Sequence, residues 1–372
     1  MSLTLALNTA LSGLQVNQAA IQITSNNITN ANTPGYTRKV AQLGTVVLGN
    51  NGAGVSLDNI GRLVDTYLNN EVRSSSSELA SLKVQDGYQD QVQALFGSPG
   101  SNSSVSSFLD QFESALQALS AAADDPTLRS QAVSAAVTLA RNLNQMSQGV
   151  QGLRLQADRD VAGSVAIVND QLEAISNLNA EISRLKGLGQ PTSELEDQRD
   201  LALSKLSEQM DISTFTRPSG EIVVLNSAGR VLVDGPAHKL SYTPAASMSA
   251  GSVYDPNAVP PGSLQGIMLD GLDITKDFRS GRIAGLLELR DSTLPTLGAE
   301  VSQLALTLRD AVNRVHNDGT GMPAATTLTS SRAQTAAAAS LSGTLRVTLV
   351  NADGTQAYTA VVPPPATLDA AG

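Results

Sequence analysis

Catalysis at neutral pH needs side chains whose protonation can be tuned and which converge on one point, and this sequence supplies few of them. It has no cysteine and two histidines, His238 and His316. His316 falls in the last turn expected of a helix, where a cationic ring suits the macrodipole. His238 lies beside Lys239 among turn residues, a surface position rather than that of a base. On ligand types alone this inventory makes no usual zinc site. Asp270-Gly271-Leu272-Asp273 lacks the full calcium-loop pattern and is read as a turn. Glu194, Glu196, Asp197 and Asp200 stand near the start of a helical stretch and read as a solvated face with carboxylates toward the positive end of the dipole. There is no Walker loop and no G-x-G-x-x-G after a strand. No catalytic, cofactor-binding or metal-binding residue is assigned, and the chain is read as a non-enzyme.

The charge balance narrows the partners. With 24 Lys and Arg against 34 Asp and Glu, the net charge of -10 disfavours a surface built to neutralise phosphates or an anionic bilayer, so neither nucleic acid nor membrane is expected. Aromatics are 3% of residues and Trp is absent, too few rings for base stacking. The apolar content rests on Leu, Val, Ala and Ile, which suit helix seams. A length of 372 residues allows two or three units with cores of their own. No charged side chain precedes Arg38, yet the apolar residues there are spaced rather than clustered, unlike an ordinary signal peptide. No later stretch approaches the roughly 18 consecutive apolar residues of a membrane span.

The elements that would position any site are mostly helical. Leu3, Leu7, Ala10, Leu14, Ile21 and Ile28 recur at alternating three and four spacings, with Asn17 and Thr24 at the remaining seam positions, so residues 1–28 predict a helix with one narrow apolar stripe. It should stop in Asn30-Ala31-Asn32-Thr33-Pro34-Gly35-Tyr36. Short strands around Val46 and Val55 flank a Gly-rich loop, and helix is expected from Arg62 to Phe96 and from Val105 to Ala123. Asp125-Pro126 starts a long helix to about Leu188, with a heptad seam of Val161, Val165, Val168, Leu172, Ile175 and Ile182. Asn179 in that seam reads either as a solvated residue, the commoner case, or as a polar residue fixing register. Pro191 opens a further helix to Met210, and from Ile212 to about Asp277 β-branched runs between glycines predict a small antiparallel module. Leu294, Leu297, Val301, Leu304, Leu308, Ala311 and Val315 form the most regular seam, where core packing is expected to concentrate around Val301 and Leu304. Residues 345–350 and 358–362 flank a turn and read as the opening hairpin of another β domain, cut short at Gly372.

Several segments together resemble a known family. Leu11-Ser12-Gly13-Leu14, Gln18 and the run from Ser25 to Arg38, with Asn27, Asn30, Thr33, Pro34, Gly35 and Tyr36 in it, resemble the N-terminal signature of flagellar rod, hook and hook-associated proteins. Leu178 to Ile182, Glu194 to Leu201 with Leu206-Ser207, and Ser280 to Asp291 followed by Ala311-Val312-Asn313 and His316 resemble the flagellar hook-associated protein 1 family. The resemblance covers residues 1 to about 320. It implies a structural subunit secreted through the flagellar type III export apparatus to the hook-filament junction, where it forms a ring with copies of itself. The hook protein, a second junction protein and an export chaperone are the implied partners. Family members close with a C-terminal helix paired with the N-terminal one; no such segment is found here, so the chain is read as an N-terminal fragment whose first helix is frayed when free. The alternatives are another axial protein, a rod or hook subunit, which should lack the long coiled middle and the Asp197-Gln198-Arg199-Asp200 segment, and a cell-wall hydrolase on an axial scaffold, which would need a carboxylate pair or a metal site.

The expected fold class is mainly α with small β modules, a long helical coiled-coil-like bundle plus antiparallel β segments. The expected organisation is an axial assembly helix and turn over 1–38 and a helical middle domain with a short hairpin over 39–211. A small β module follows over 212–280, then a long returning helix over 281–320 and the start of a truncated outer β domain over 328–372. The assembly interface is assigned to Leu3, Leu7, Ala10, Leu14, Ile21 and Ile28.

Overall fold

The structure is a computed structural model that describes residues 3–48, 51–98, 101–257, 264–317, 345–350 and 356–362. The elements are α1 (Leu3–Thr29), β1 (Lys39–Leu48), β2 (Asn51–Arg62), α2 (Thr66–Phe96), α3 (Val105–Ala121), α4 (Pro126–Gly187) and α5 (Ser193–Gln209). Then come β3 (Ile212–Thr216), β4 (Ile222–Asn226), β5 (Val231–Val233), β6 (Leu240–Ser241), β7 (Met268–Leu269) and β8 (Leu272–Asp273). The last are α6 (Gly281–Glu288), α7 (Leu294–Asn317), β9 (Leu345–Val350) and β10 (Gln356–Val362), a π-helical turn at Leu289–Thr293 joining α6 to α7. Long helices with small antiparallel sheets are the fold class that the sequence predicts.

The chain divides into two compact units, Met1–Ser98 with Gln145–Ala299, and Pro99–Asn144 with Glu300–Gly372. The first unit holds the main core. Its axis is the α4 seam, where Val161, Val168, Leu172, Ile175 and Ile182 are wholly buried. Val84, Tyr88 and Val92 of α2, Leu203 and Leu206 of α5, and Ile283 and Leu286 of α6 join the same buried set. Each such side chain contributes about 1.5–3 kcal/mol relative to exposure.

Helix boundaries follow local chemistry. Asp65 caps α2 by accepting hydrogen bonds from the backbone N–H groups of Tyr67 and Leu68 at 3.0 and 3.1 Å, so the helix starts there, and Arg62, expected to open it, ends β2 instead. Gly281 enters α6 at φ 88°, and a Cβ placed there would lie 2.5 Å from the Gln209 carbonyl oxygen, so only glycine lets the end of α5 approach this closely. Between β7 and β8, Asp270 and Gly271 both have positive φ, 49° and 80°, a tight two-residue hairpin turn that accounts for the Asp-Gly-x-Asp run without a cation. Residues 212–277 form two three-stranded antiparallel sheets, ordered β3-β4-β5 and β6-β7-β8.

Two expectations are corrected. The first hairpin is long rather than short: β1 and β2 pair from Lys39↔Arg62 to Leu48↔Asn51. In α7 only the beginning of the predicted seam is buried. Leu294 and Val301 are covered, whereas Leu304 is 47% and Val315 70% exposed. A three-four spacing identifies a stripe but not whether anything faces it.

In the second unit, Ser104 caps α3 by accepting from the Ser107 N–H at 3.2 Å, and Asp125 accepts from Thr127 N–H at the start of α4. β9 and β10 pair as an antiparallel hairpin. Among the described residues no helix is long and apolar enough to cross a membrane.

Candidate functional site

Helix α1 has two faces, and they meet different surroundings. Val16 is 6% exposed, and the helix packs along this side on the β1-β2 hairpin. Ser12 accepts a hydrogen bond from the Val55 N–H at 3.2 Å, and Asn27 holds the other end: its amide donates to the Lys39 carbonyl at 2.8 Å while its Oδ1 accepts from the Lys39 N–H at 2.9 Å. Serine and asparagine suit such points, since a short side chain with both donor and acceptor capacity can reach strand backbone: the Ser12 hydroxyl also donates to the Thr9 carbonyl of its own helix at 2.9 Å. The hairpin thus gives α1 a partner that the sequence alone does not reveal. The opposite face carries the predicted stripe. Leu3, Leu7, Leu14, Ile21 and Ile28 are 55–89% exposed, and Ala10 is exposed with them.

Below α1, the signature turn docks on α5. The Tyr36 hydroxyl donates to Asn27 Oδ1 at 2.9 Å, and Asn30 Oδ1 accepts from the Thr33 hydroxyl at 3.2 Å. Gly35, at φ 81°, brings the chain against Leu201, where a Cβ would sit 3.3 Å from the leucine Cβ. Pro34 and Gly35 themselves remain exposed, so their role is to shape the turn. Thr37 donates through both its backbone N–H and its hydroxyl to Asp197.

Four carboxylates of α5 gather the cations of this region. Lys39 pairs with Glu194 and, at 3.3 Å, with Asp197, and its ammonium lies 4.3 Å from the Tyr36 ring centre. Arg62 reaches Glu196 at 2.8 Å, Asp197 at 2.8 Å and Asp200 at 2.7 Å, and Arg73 reaches Asp200 at 3.0 Å. Burial alone would lower the Arg62 guanidinium, but the hydrogen bond to Asp197 and the charges of Asp200 and Glu196 outweigh it and raise the group above its ordinary value. The expected solvated acidic face is therefore a clasp: two of the segments that carry the family resemblance, residues 25–38 and 194–201, meet in space. Four acids within seven residues were the available signal, and their partners were not, because Lys39, Arg62 and Arg73 are distant in sequence.

Asn179 is likewise corrected from a solvated residue. It is 2% exposed; its amide donates to the Ile222 carbonyl at 2.7 Å, and its Oδ1 accepts from the Ile222 N–H at 3.0 Å and from Arg199 at 2.9 Å. It ties α4 to the first residue of β4. A second buried polar cluster lies at the π-helical turn. Arg290, wholly buried, bonds Asp158 at 3.0 Å, the Tyr242 hydroxyl at 2.6 Å and Asp291 at 2.8 and 2.7 Å. Here carboxylates and guanidinium satisfy one another, which makes a brace. His238 pairs with Asp270 at 2.8 Å on the surface, and among the described residues no group of three or more His, Asp or Glu is placed to hold a metal.

The family model described as the flagellar hook-associated protein FlgK helical domain matches residues 89–327, and that of the flagella basal body rod protein matches residues 7–37. Flagellar hook-associated protein 1 of Salmonella typhimurium is 29% identical over 321 residues, which cover 84% of this chain and 56% of the relative. The Escherichia coli protein of the same name is 27% identical with 84% and 57% covered, and that of Bacillus subtilis 25% identical over 352 residues with 85% and 67% covered. The chain thus spans a little over half the length of the two enterobacterial relatives. The solved structure of the flagellar hook junction protein FlgK from Burkholderia pseudomallei superposes with a TM-score of 0.57 at 25% identity, over 68% of this chain and 45% of that one. With the helical-domain match extending over more than half of its residues, the chain belongs to the flagellar hook-associated protein FlgK family.

Proposed function

We propose that this chain is a structural, non-enzymatic subunit of the bacterial flagellum that forms the hook-filament junction by helix-helix assembly. The observation that carries the reading is the division of α1 into a face held by Ser12, Val16 and Asn27 and a face of uncovered Leu and Ile side chains. A monomer gains nothing from such a stripe, whereas covering it contributes about 1.5–3 kcal/mol per side chain. Leu3, Leu7, Ala10, Leu14, Ile21 and Ile28 are the assembly interface in this reading, and Asn27, Asn30, Thr33, Pro34, Gly35 and Tyr36 set the angle at which α1 leaves the helical domain. Copies of the same chain, the hook protein, a second junction protein and an export chaperone are the proposed partners, with secretion by the flagellar export route. The match to a hook-associated helical domain over 89–327 favours this over a rod or hook subunit, since the rod-protein match stops at residue 37. The non-enzymatic reading is supported by the likeness to proteins described as flagellar hook-associated proteins.

The test adds purified subunits to purified hooks, which separates assembly from export. A chain with Leu7→Gln and Leu14→Gln should fold normally yet fail to cap hooks. Capping at the level of the unaltered chain would overturn the reading.

A further inference from the structure

One cavity of the first unit is not explained by the clasp. A space of about 380 Å3 opens between the end of β2, the start of α2, α5 and the β3-β4 hairpin. Arg62, Arg73, Lys186 and Arg199 line it, against the carboxylates Glu196 and Asp200. Those carboxylates are already engaged: Glu196 with Arg62, and Asp200 with Arg62 and Arg73. Arg199 is different. It is 3% exposed, yet its hydrogen-bond acceptors are uncharged, Asn179 Oδ1 at 2.9 Å and the Gly220 carbonyl at 2.7 Å. Lys186 reaches only the Pro218 carbonyl, at 3.4 Å.

Among the described residues, the buried side-chain nitrogens without a hydrogen-bond partner are Arg73 Nε and Arg199 Nε, and both residues line this one cavity. A buried guanidinium without a carboxylate is costly, and a buried donor left unpaired adds to that cost. Burial pushes the Arg199 guanidinium down; the charges of Asp200 and Glu196 offset this only in part, and Arg62 and Arg73 add repulsion. An anion in the cavity would relieve all of these at once. Thr66, Thr214 and Thr216 supply neutral hydroxyls on its walls.

We propose that this cavity binds a small oxyanion, a phosphate or a carboxylate, held by Arg199 and Arg73 from the inside and by Lys186 at the mouth. The planar guanidinium fork favours either group, which a single ammonium does not match. The site is separate from the α1 stripe, so it stands or falls independently of the assembly reading.

The test titrates the full chain with inorganic phosphate and, in a parallel arm, with acetate, each against sodium chloride at matched ionic strength, following melting temperature and calorimetric heat. Saturable binding and a rise in melting temperature above the chloride control are expected, the stronger arm identifying tetrahedral or planar recognition. Lys186→Gln, at an exposed position, should weaken binding by about tenfold, the worth of one charge-assisted hydrogen bond. Arg199→Lys keeps the charge but removes the fork and should abolish saturation; should it fail to fold, Lys186→Gln decides alone. No saturation with either anion, or unchanged affinity in Lys186→Gln, overturns the proposal.

Discussion

Helices α1 and α4 carry the same kind of apolar stripe, and the structure treats them oppositely. In α4 the seam from Val161 to Ile182 is at most 4% exposed, whereas in α1 the least exposed of the predicted stripe leucines, Leu14, is still 55% exposed. The difference lies in what flanks the stripe. Around the α4 seam stand buried polar residues that bind other elements, Asp158 to Arg290 and Asn179 to β4, while Asn17 and Thr24 in the α1 stripe are exposed. A stripe whose polar interruptions are tied to the rest of the chain is already in its final place; one whose interruptions face water still has a surface to offer.

The sharpest way to break this contrast is to attack the brace beside the α4 seam. Arg290→Ala leaves Asp158 buried without its cation and should cost about 3–5 kcal/mol in a urea melt. A loss near 1 kcal/mol would show that water reaches the cluster. Leu172→Ala, in the centre of the seam, should cost about 2–5 kcal/mol as a large-to-small change with little room to collapse. Next comes the boundary between the two cases. Asn27→Ala leaves the backbone of Lys39 unpaired and should cost about 1–3 kcal/mol, felt as faster amide exchange in α1 with α4 unchanged. Equal acceleration in both helices would mean that they melt as one unit. The smallest effect is expected for Leu14→Ala, within about 0.5 kcal/mol in the free chain. A cost above 2 kcal/mol would place Leu14 in a monomer core and remove the contrast.

Much of this architecture was readable beforehand, for reasons tied to particular residues. Asp125-Pro126 and the break at residues 188–192 bound α4 because caps and proline act locally. The sequence predicts only short strands because Lys39, Gln42, Thr45 and Asn59 interrupt the apolar residues, and the packing of α1 over the pair is a long-range contact that no local pattern carries. Asn179 and the acids of α5 differ from the solvated positions expected of them because a polar letter on a helix is the same whether its partner is water, strand backbone or a distant cation. Leu304 is the converse: its spacing is right for a seam, and its side chain is 47% exposed. Truncating it to alanine should therefore cost less than the roughly 2–5 kcal/mol of a buried leucine.

The clasp between the signature turn and α5 also has a mechanical side. Residues 37, 39 and 62 grip one helix through Asp197 and its neighbours, and that same helix inserts Leu203 and Leu206, both fully buried, into the core. A pull or twist applied along α1 therefore reaches the core through side chains locked at both ends of α5, with no slack linker to absorb it. The charge pairs of this joint are largely buried, so ions in solution screen them only weakly, and the coupling should keep its stiffness as salt concentration rises where a joint of exposed charges would soften.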